Sequence, residues 1–379
     1  MSTTTPSPEP DSLPVAEVLC LGETMVLLAS ATSTPLENAA EVNLYVAGAE
    51  SNVAIGLSHL GHRAEWYGRL GHDPFGARIR DFLADTGVVV SRVTVDETRP
   101  TGVYFKDQAD GHSQVYYYRA GSAASALSAA DLDRLSLDRR RLCHVSGITA
   151  ALSPSCDDLL QQIIVERRSA AATISFDVNY RPTLWSVAAA GPRLLELARA
   201  ADIVVVGRDE ADALWSTGDA AGVRALLPEV PQLVVKDAHL GATQFDADGE
   251  TFVPALAIEV VEPVGAGDAF AAGLLSGWLR GWKAAASLRL GHIMAGYTLQ
   301  DVSDIPTLPE RAAILALAQT PEAEWAGLRL TLPAVAAAAD AIVSREVAVS
   351  AAAGASTMTA GASTMTAGAS TMKGTTIVN

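Results

Sequence analysis

Val260-Val261-Glu262-Pro263-Val264-Gly265-Ala266-Gly267-Asp268-Ala269-Phe270 joins a β-branched run to an apolar helical pattern that continues through Ala271, Leu274, Leu275 and Trp278. Between the two halves stand a proline, two glycines one residue apart, and an acid. Glycines at a strand-to-helix turn let backbone N–H groups converge on an anion, and the helix N-terminus adds the positive end of its dipole. An acid placed there repels the anion. It is better suited to taking the proton of a hydroxyl that then attacks the phosphate bound beside it. On this reading Gly265, Ala266 and Gly267 offer an oxyanion-hole cradle and Asp268 is the general base. The alternative is structural, a tight turn with Asp268 as a cap near the helix start. Two other phosphate-binding loops are excluded. Phe270 stands where a dinucleotide fingerprint has its third glycine, and no Lys-Ser or Lys-Thr follows the glycines as in a P-loop.

Working outward, strand and helix patterns alternate. Val15 to Leu28 reads as a first strand, and Ser51 to Leu60 as an amphipathic helix ending at Gly61. Trp66 to Leu70 and Val88 to Val95 read as strands with a helix at Asp73 to Thr86 between them. Later strands are expected at Leu142 to Val145, Thr173 to Asp177, Ile203 to Val206 and Leu233 to Lys236. Such alternation predicts an α/β fold with a parallel sheet covered on both faces. Ligands of these sheets lie outside the C-terminal strand ends, where Asp177, Gly207 and Lys236 fall. The stretch from Thr101 to Phe105 and on to Gln114 to Tyr118 differs, reading as a hairpin that turns at Asp110-Gly111.

Composition narrows the function classes. The 379 residues suit one large α/β domain with a small appendage as well as two domains. A formal charge of −16 argues against nucleic acid and anionic membranes as partners. It also repels anionic substrates, so basic groups are expected to be concentrated locally. No apolar run reaches membrane-spanning length. Cys20, Cys143 and Cys156 are odd in number and lack metal-type spacing, which suits reduced thiols and a cytoplasmic location. His59 and His62 share a helical face without a third ligand, and a plain surface or packing role is expected for them. Residues 1–14 read as a disordered Ser/Thr/Pro-rich leader and 15–310 as the main domain. Residues 311–349 read as an Ala-rich helical extension. Residues 350–379, where Gly354-Ala355-Ser356-Thr357-Met358-Thr359-Ala360 recurs at Gly361 and, altered, at Gly368, read as a disordered low-complexity tail.

Several motifs in order resemble the ribokinase-like (PfkB) family of carbohydrate kinases. Gly48-Ala49-Glu50-Ser51-Asn52-Val53-Ala54 resembles its sugar-binding signature. Phe176-Asp177-Val178-Asn179-Tyr180-Arg181-Pro182 resembles the strand end ahead of the nucleotide side. Val234-Val235-Lys236 with Gly241-Ala242 resembles the nucleotide-contacting strand and turn, and Gly265 to Phe270 the second signature. The resemblance runs from about residue 16 to about residue 310. It implies a ribokinase-like fold, a central mostly parallel sheet flanked by helices, with a small β-sheet lid including about 98–120. The lid would cover the sugar site and offer a surface for a homo-oligomer. ATP and Mg²⁺ are implied as well.

Residue by residue, the resemblance places Gly48 and Asn52 at the sugar hydroxyls, with Tyr104 and Tyr118 reaching the substrate from the lid. Asn179, Lys236 and Gly241, with Gly265 and Gly267, would flank the nucleotide, and Glu210 would organise hydrated magnesium. Tyr116-Tyr117-Tyr118-Arg119 and Asn179-Tyr180-Arg181-Pro182 resemble the members that phosphorylate 2-keto-3-deoxygluconate, so Arg119 and Arg181 would hold a sugar acid's carboxylate, which suits a planar guanidinium. Three positions depart from the family: Glu262 for the usual Asp, Gly207 for the Asn of an Asn-x-x-Glu motif, and Ala238 for a frequent Gly. Fructokinase, 5-dehydro-2-deoxygluconokinase and a non-catalytic sugar-responsive binding protein stay open as alternatives.

Overall fold

In this computed structural model, residues 15–32, 34–109, 112–167, 172–301 and 303–330 are described. Fourteen strands are formed among them: β1 (Val18–Leu21), β2 (Met25–Ser30), β3 (Val42–Ala47), β4 (Ala64–Tyr67), β5 (Arg69–Gly71), β6 (Thr94–Asp96), β7 (Val103–Ala109), β8 (His112–Tyr118), β9 (Leu142–Ser146), β10 (Thr173–Asp177), β11 (Ile203–Gly207), β12 (Gln232–Asp237), β13 (Gly241–Asp246) and β14 (Gly249–Pro254). Eight of them make one sheet in the order β14-β13-β12-β11-β10-β9-β1-β4. It is parallel from β4 to β12, and β13 and β14 close the far edge antiparallel.

The central strands are buried from end to end because both faces are covered. Leu19, Leu21, Cys143, Val145, Phe176 and Val206 pack with Leu159, Leu160, Leu194 and Leu197 of the helices on one face. Val18, Cys20 and Leu142 pack on the other face with Val53 and Leu57 of helix Ala49–His59 and with Ala271 and Leu275 of helix Ala266–Leu279. A second sheet of four strands, β3-β2-β7-β8, stands apart and matches the expected lid.

Four expected elements are resolved differently. The Val15 to Leu28 run is two strands, because the chain leaves the large sheet at Gly22 and enters the small one at Met25. Gly22 lies against the buried Glu50 carboxyl, where a side chain on Gly22 would stand 2.2 Å from the Glu50 carboxyl carbon. The Trp66 to Leu70 run divides into β4 and β5. Of the Val88 to Val95 run only Thr94 and Val95 belong to a strand, β6, which lies beside β5, and Val89 makes a single bridge to Glu65. Val260-Val261 is not a strand. It is a loop tied to the end of helix Ala284–Leu299 by a hydrogen bond from Val261 N to Leu299 O (2.7 Å).

Helix Pro74–Asp85 is capped by Asp73, whose Oδ1 accepts from Gly76 N (2.8 Å). Helices Arg311–Leu317 and Glu322–Trp325 bury Ile314 and Trp325, and Trp325 Nε1 donates to Pro254 O (2.8 Å), so the folded body continues past residue 310. The leader 1–14, residues 331–349 of the expected extension, the 350–379 repeats and the Asp110-Gly111 turn lie outside the described residues. The three cysteines are buried and free. His59 bonds the Pro309 carbonyl, and His62 bonds Glu17 and Ser276, both in packing roles. Among the described residues no helix is long and apolar enough to cross a membrane.

Candidate active site

A cavity of about 800 Å³ opens where the C-terminal strand ends of the large sheet face the small sheet. Gly265 caps helix Ala266–Leu279 in the left-handed region at φ +81°, a conformation that glycine adopts without a Cβ penalty. The helix therefore starts with its first N–H groups lacking intrahelical acceptors, and Gly265 and Gly267 lie on the cavity wall. Ala266 does not; its N–H turns back to Pro263 O (3.4 Å).

Asp268 is the third residue of that helix, buried yet on the cavity wall. Asn52 Nδ2 donates to Asp268 Oδ2 (2.9 Å) across the two packed helices. Burial pushes the Asp268 carboxyl up to about 7, the Asn52 hydrogen bond opposes this, the Asp177 charge adds to it, and Arg181 and Lys236 lower it. A carboxyl poised there suits proton transfer near neutral pH. Asn52 Oδ1 and Asn179 Oδ1 are buried without protein partners among the described residues, as is Asp177 Oδ1. Asn52 and Asn179 line the cavity, so both amides have acceptors to offer a polyhydroxylated ligand. Asn179 holds a left-handed backbone at φ +39°.

On the sheet rim, Lys236 Nζ lies 3.2 Å from Asp177 Oδ2. Burial alone would weaken the ammonium, but Asp177 and Glu210 more than offset it and hold it above its ordinary range. Glu210, expected to organise hydrated magnesium, also has backbone partners. Its Oε2 accepts from Gly207 N (2.7 Å) and its Oε1 from Tyr180 N (3.0 Å), so the carboxylate braces the loop after β10 against the loop after β11. Burial raises its pKa, offset in part by Lys236. No group of three or more His, Cys, Asp or Glu among the described residues is placed to hold a metal ion. The carboxylates present fit a magnesium ion that arrives with nucleotide phosphates and keeps its waters, rather than a resident ion.

Not every residue expected on the sugar side reaches the cavity. Gly48 lines the cavity, as do Tyr104 and Arg119. The Arg119 guanidinium pairs with buried Glu23, which also accepts from Ser122 Oγ (2.6 Å), and it lies 5.6 Å from the centroid of the Tyr117 ring. Tyr117 stacks on Tyr104 at 5.4 Å. Tyr118 is 65% exposed and meets the edge of Phe105 on the opposite face, so Tyr117, not Tyr118, faces the cavity. Arg181 is exposed, lines the cavity, and makes no ion pair among the described residues. Its charge acts on Asp268 and Glu210, whereas that of Arg119 acts on Glu50 and Tyr104, so the two arginines do not share one set of neighbours. Gly241 is off the wall, at the β12–β13 turn, and Ala238 at φ +44° is on it.

Residues outside the expected set also line the cavity: Glu23, Tyr117, Lys106 and Asp304. Lys106 pairs with Glu262, tying the small sheet to the loop ahead of Gly265. Burial pushes Asp304 up to about 6, with Lys106 lowering and Glu262 raising it. The expected local excess of basic groups is absent. Lys106, Arg119, Arg181 and Lys236 face Glu23, Asp209, Glu210, Asp268 and Asp304, and three of the four cations are already paired.

A glycine-capped helix start with a buried carboxyl inside it faces a cavity under a small sheet, an arrangement suited to phosphoryl transfer onto a sugar hydroxyl. The model of the pfkB family of carbohydrate kinases matches residues 15–311, and the chain belongs to that family. It is 34% identical over 301 residues to a 2-dehydro-3-deoxygluconokinase of Bacillus subtilis (strain 168), covering 78% of this chain and 93% of that one. A 2-dehydro-3-deoxygluconokinase of Thermoproteus tenax is 33% identical over 299 residues, 77% and 91% of the two chains. The crystal structure of a PfkB protein from Polaromonas sp. JS666 superimposes with a TM-score of 0.72 at 33% identity, over 80% of this chain and 100% of that one. The chain is a sugar kinase, and the family implies ATP as its phosphoryl donor.

Proposed function

We propose that the chain phosphorylates the terminal hydroxyl of 2-keto-3-deoxygluconate, with magnesium-ATP as donor, to give the 6-phosphate. The observation that carries the chemistry is Asp268, buried against Asn52 in the first turn of the Gly265-capped helix. Asp268 takes the hydroxyl proton as the sugar oxygen bonds to the γ-phosphorus and the bridge to the β-phosphate breaks, leaving ADP. The N–H groups of Gly265 and Gly267 receive the phosphoryl oxygens, where charge develops. Magnesium arriving with ATP would supply charge neutralisation, and the Asp177 and Glu210 carboxylates would hold its waters.

Selection of the acid rests on Arg119, held on the wall by Glu23 and by the Tyr117 ring, and on the name borne by the two relatives. A second reading, a neutral or differently oxidised sugar, is favoured by the same pair. Glu23 already neutralises Arg119, and its carboxylate accepts hydrogen bonds from hydroxyls. ADP release with magnesium-ATP over 2-keto-3-deoxygluconate, its galacto epimer, gluconate, fructose and ribose separates them. A kcat/KM preference for the keto-deoxy acids supports the proposal, and preference for fructose or ribose replaces the substrate while keeping the base. Sugar binding without ADP release from any of the five would point to a non-catalytic binding protein.

A further inference from the structure

Four cations line the cavity, and their surroundings differ. Arg119 and Lys106 are committed to Glu23 and Glu262, on the small-sheet side. Arg181 is exposed. Lys236, at the end of β12, is the one beside the glycine cradle: a methyl group placed on Gly267 would stand only 3.4 Å from its Nζ. Its contact to Asp177 Oδ2, at 3.2 Å, is longer than the 2.7–2.9 Å or so usual for a charge-assisted pair, and its ammonium has three donors to place. The charges of Asp177, Glu210 and Asp268 all act on it. An ammonium beside backbone N–H groups, within a ring of carboxylates, is where an incoming phosphoryl group meets its counter-charge.

Building on the sugar-kinase reading, we propose that Lys236 is a catalytic residue. Its ammonium turns from Asp177 to an oxygen of the transferring phosphoryl group and works with the Gly265 and Gly267 N–H groups. Lys236 exchanges no proton in this step. The proton of the sugar hydroxyl goes to Asp268, the bridge electrons leave with ADP, and Lys236 stays charged throughout. The carboxylate of Asp177 keeps the ammonium in place before ATP arrives and limits how tightly it grips the ground-state phosphate. The interaction therefore strengthens as charge moves onto the phosphoryl oxygens.

The test compares Lys236→Met and Lys236→Arg with the wild type, reading kcat, the KM of sugar and of ATP, and ADP affinity by calorimetry. The expected result for Lys236→Met is a kcat loss of about 10²–10³-fold, the scale of one lost transition-state donor. Sugar KM and ADP affinity should change by no more than about threefold, and Lys236→Arg should recover at least about tenfold over Met, a charge dependence that a packing role would not produce. A wild-type kcat in Lys236→Met with a raised ATP KM would overturn the proposal, reducing the residue to a nucleotide contact. Equal losses in Met and Arg with a fall in melting temperature would also overturn it, making Lys236 a structural partner of Asp177. The same preparation of wild type is run on the sugar panel. Absence of turnover there removes the proposed function, and this proposal with it, whereas an active wild type beside an active Lys236→Met removes this proposal alone.

Discussion

The C-terminal rim of the large sheet presents charge to the cavity, with Glu210 just after β11 and Lys236 at the end of β12, the latter paired with buried Asp177 at the end of β10. The small sheet presents rings and apolar side chains, Tyr104, Tyr117, Met25 and Leu27, and its two cations are already neutralised by Glu23 and Glu262. The rim is braced by backbone hydrogen bonds to Glu210 and by buried neighbours. The small sheet is a thin layer whose outer rings, Tyr116 and Tyr118, are exposed. Reaction chemistry and substrate selection thus sit on separate supports, and substitutions on the two sides should divide between kcat and KM.

The largest effect is expected at the rim side. Asp268→Asn should lower kcat by at least about 10²–10⁴-fold while ADP binding survives, and turnover within a few-fold of wild type would remove Asp268 from the mechanism. Next comes the ion pair on the lid side. Arg119→Met should raise the KM of the sugar acid by about 10–100-fold and erase its preference over fructose, with kcat changed less, as expected for loss of a charged hydrogen bond of about 1.5–3 kcal/mol. An unchanged preference would favour a neutral sugar. The smallest effect tests strand parity: Tyr117→Ala should weaken sugar binding several-fold, whereas Tyr118→Ala should stay within about twofold, and the reverse order would put the wrong face of β8 over the substrate.

Much of this arrangement is legible in the residues, for physical reasons that also explain the misses. Thr173–Asp177 reads with its observed bounds because Ile174 and Phe176 alternate with Thr173, Ser175 and Asp177, the period of a strand. Val15 to Leu28 reads as one strand because the apolar run resumes at Met25 after only three interrupting residues, Gly22-Glu23-Thr24. The break is set by Gly22 meeting Glu50, a contact between residues 28 apart in the chain. Three consecutive tyrosines, Tyr116 to Tyr118, hide their own alternation, so parity is visible only once β8 pairs with β7. The resemblance marks Glu210 for hydrated magnesium but is silent on its two backbone N–H partners, one of which, Tyr180, lies 30 residues away. Asp304 belongs to no motif and reaches the cavity only because the loop after helix Ala284–Leu299 folds back beside Gly265.

The pH dependence of kcat/KM for wild type and Asn52→Ala tests the role of Asp268 most directly. Burial raises the Asp268 pKa to about 7, and the carboxylate form is the one that accepts the hydroxyl proton. Activity should therefore be full above that range and fall about tenfold per unit below it, with a midpoint near 7. Asn52 lowers that pKa through its hydrogen bond, so Asn52→Ala should move the acid limb to higher pH. A rate that stays flat from about pH 8 down to about pH 5, or a limb unmoved by Asn52→Ala, would contradict Asp268 as the base.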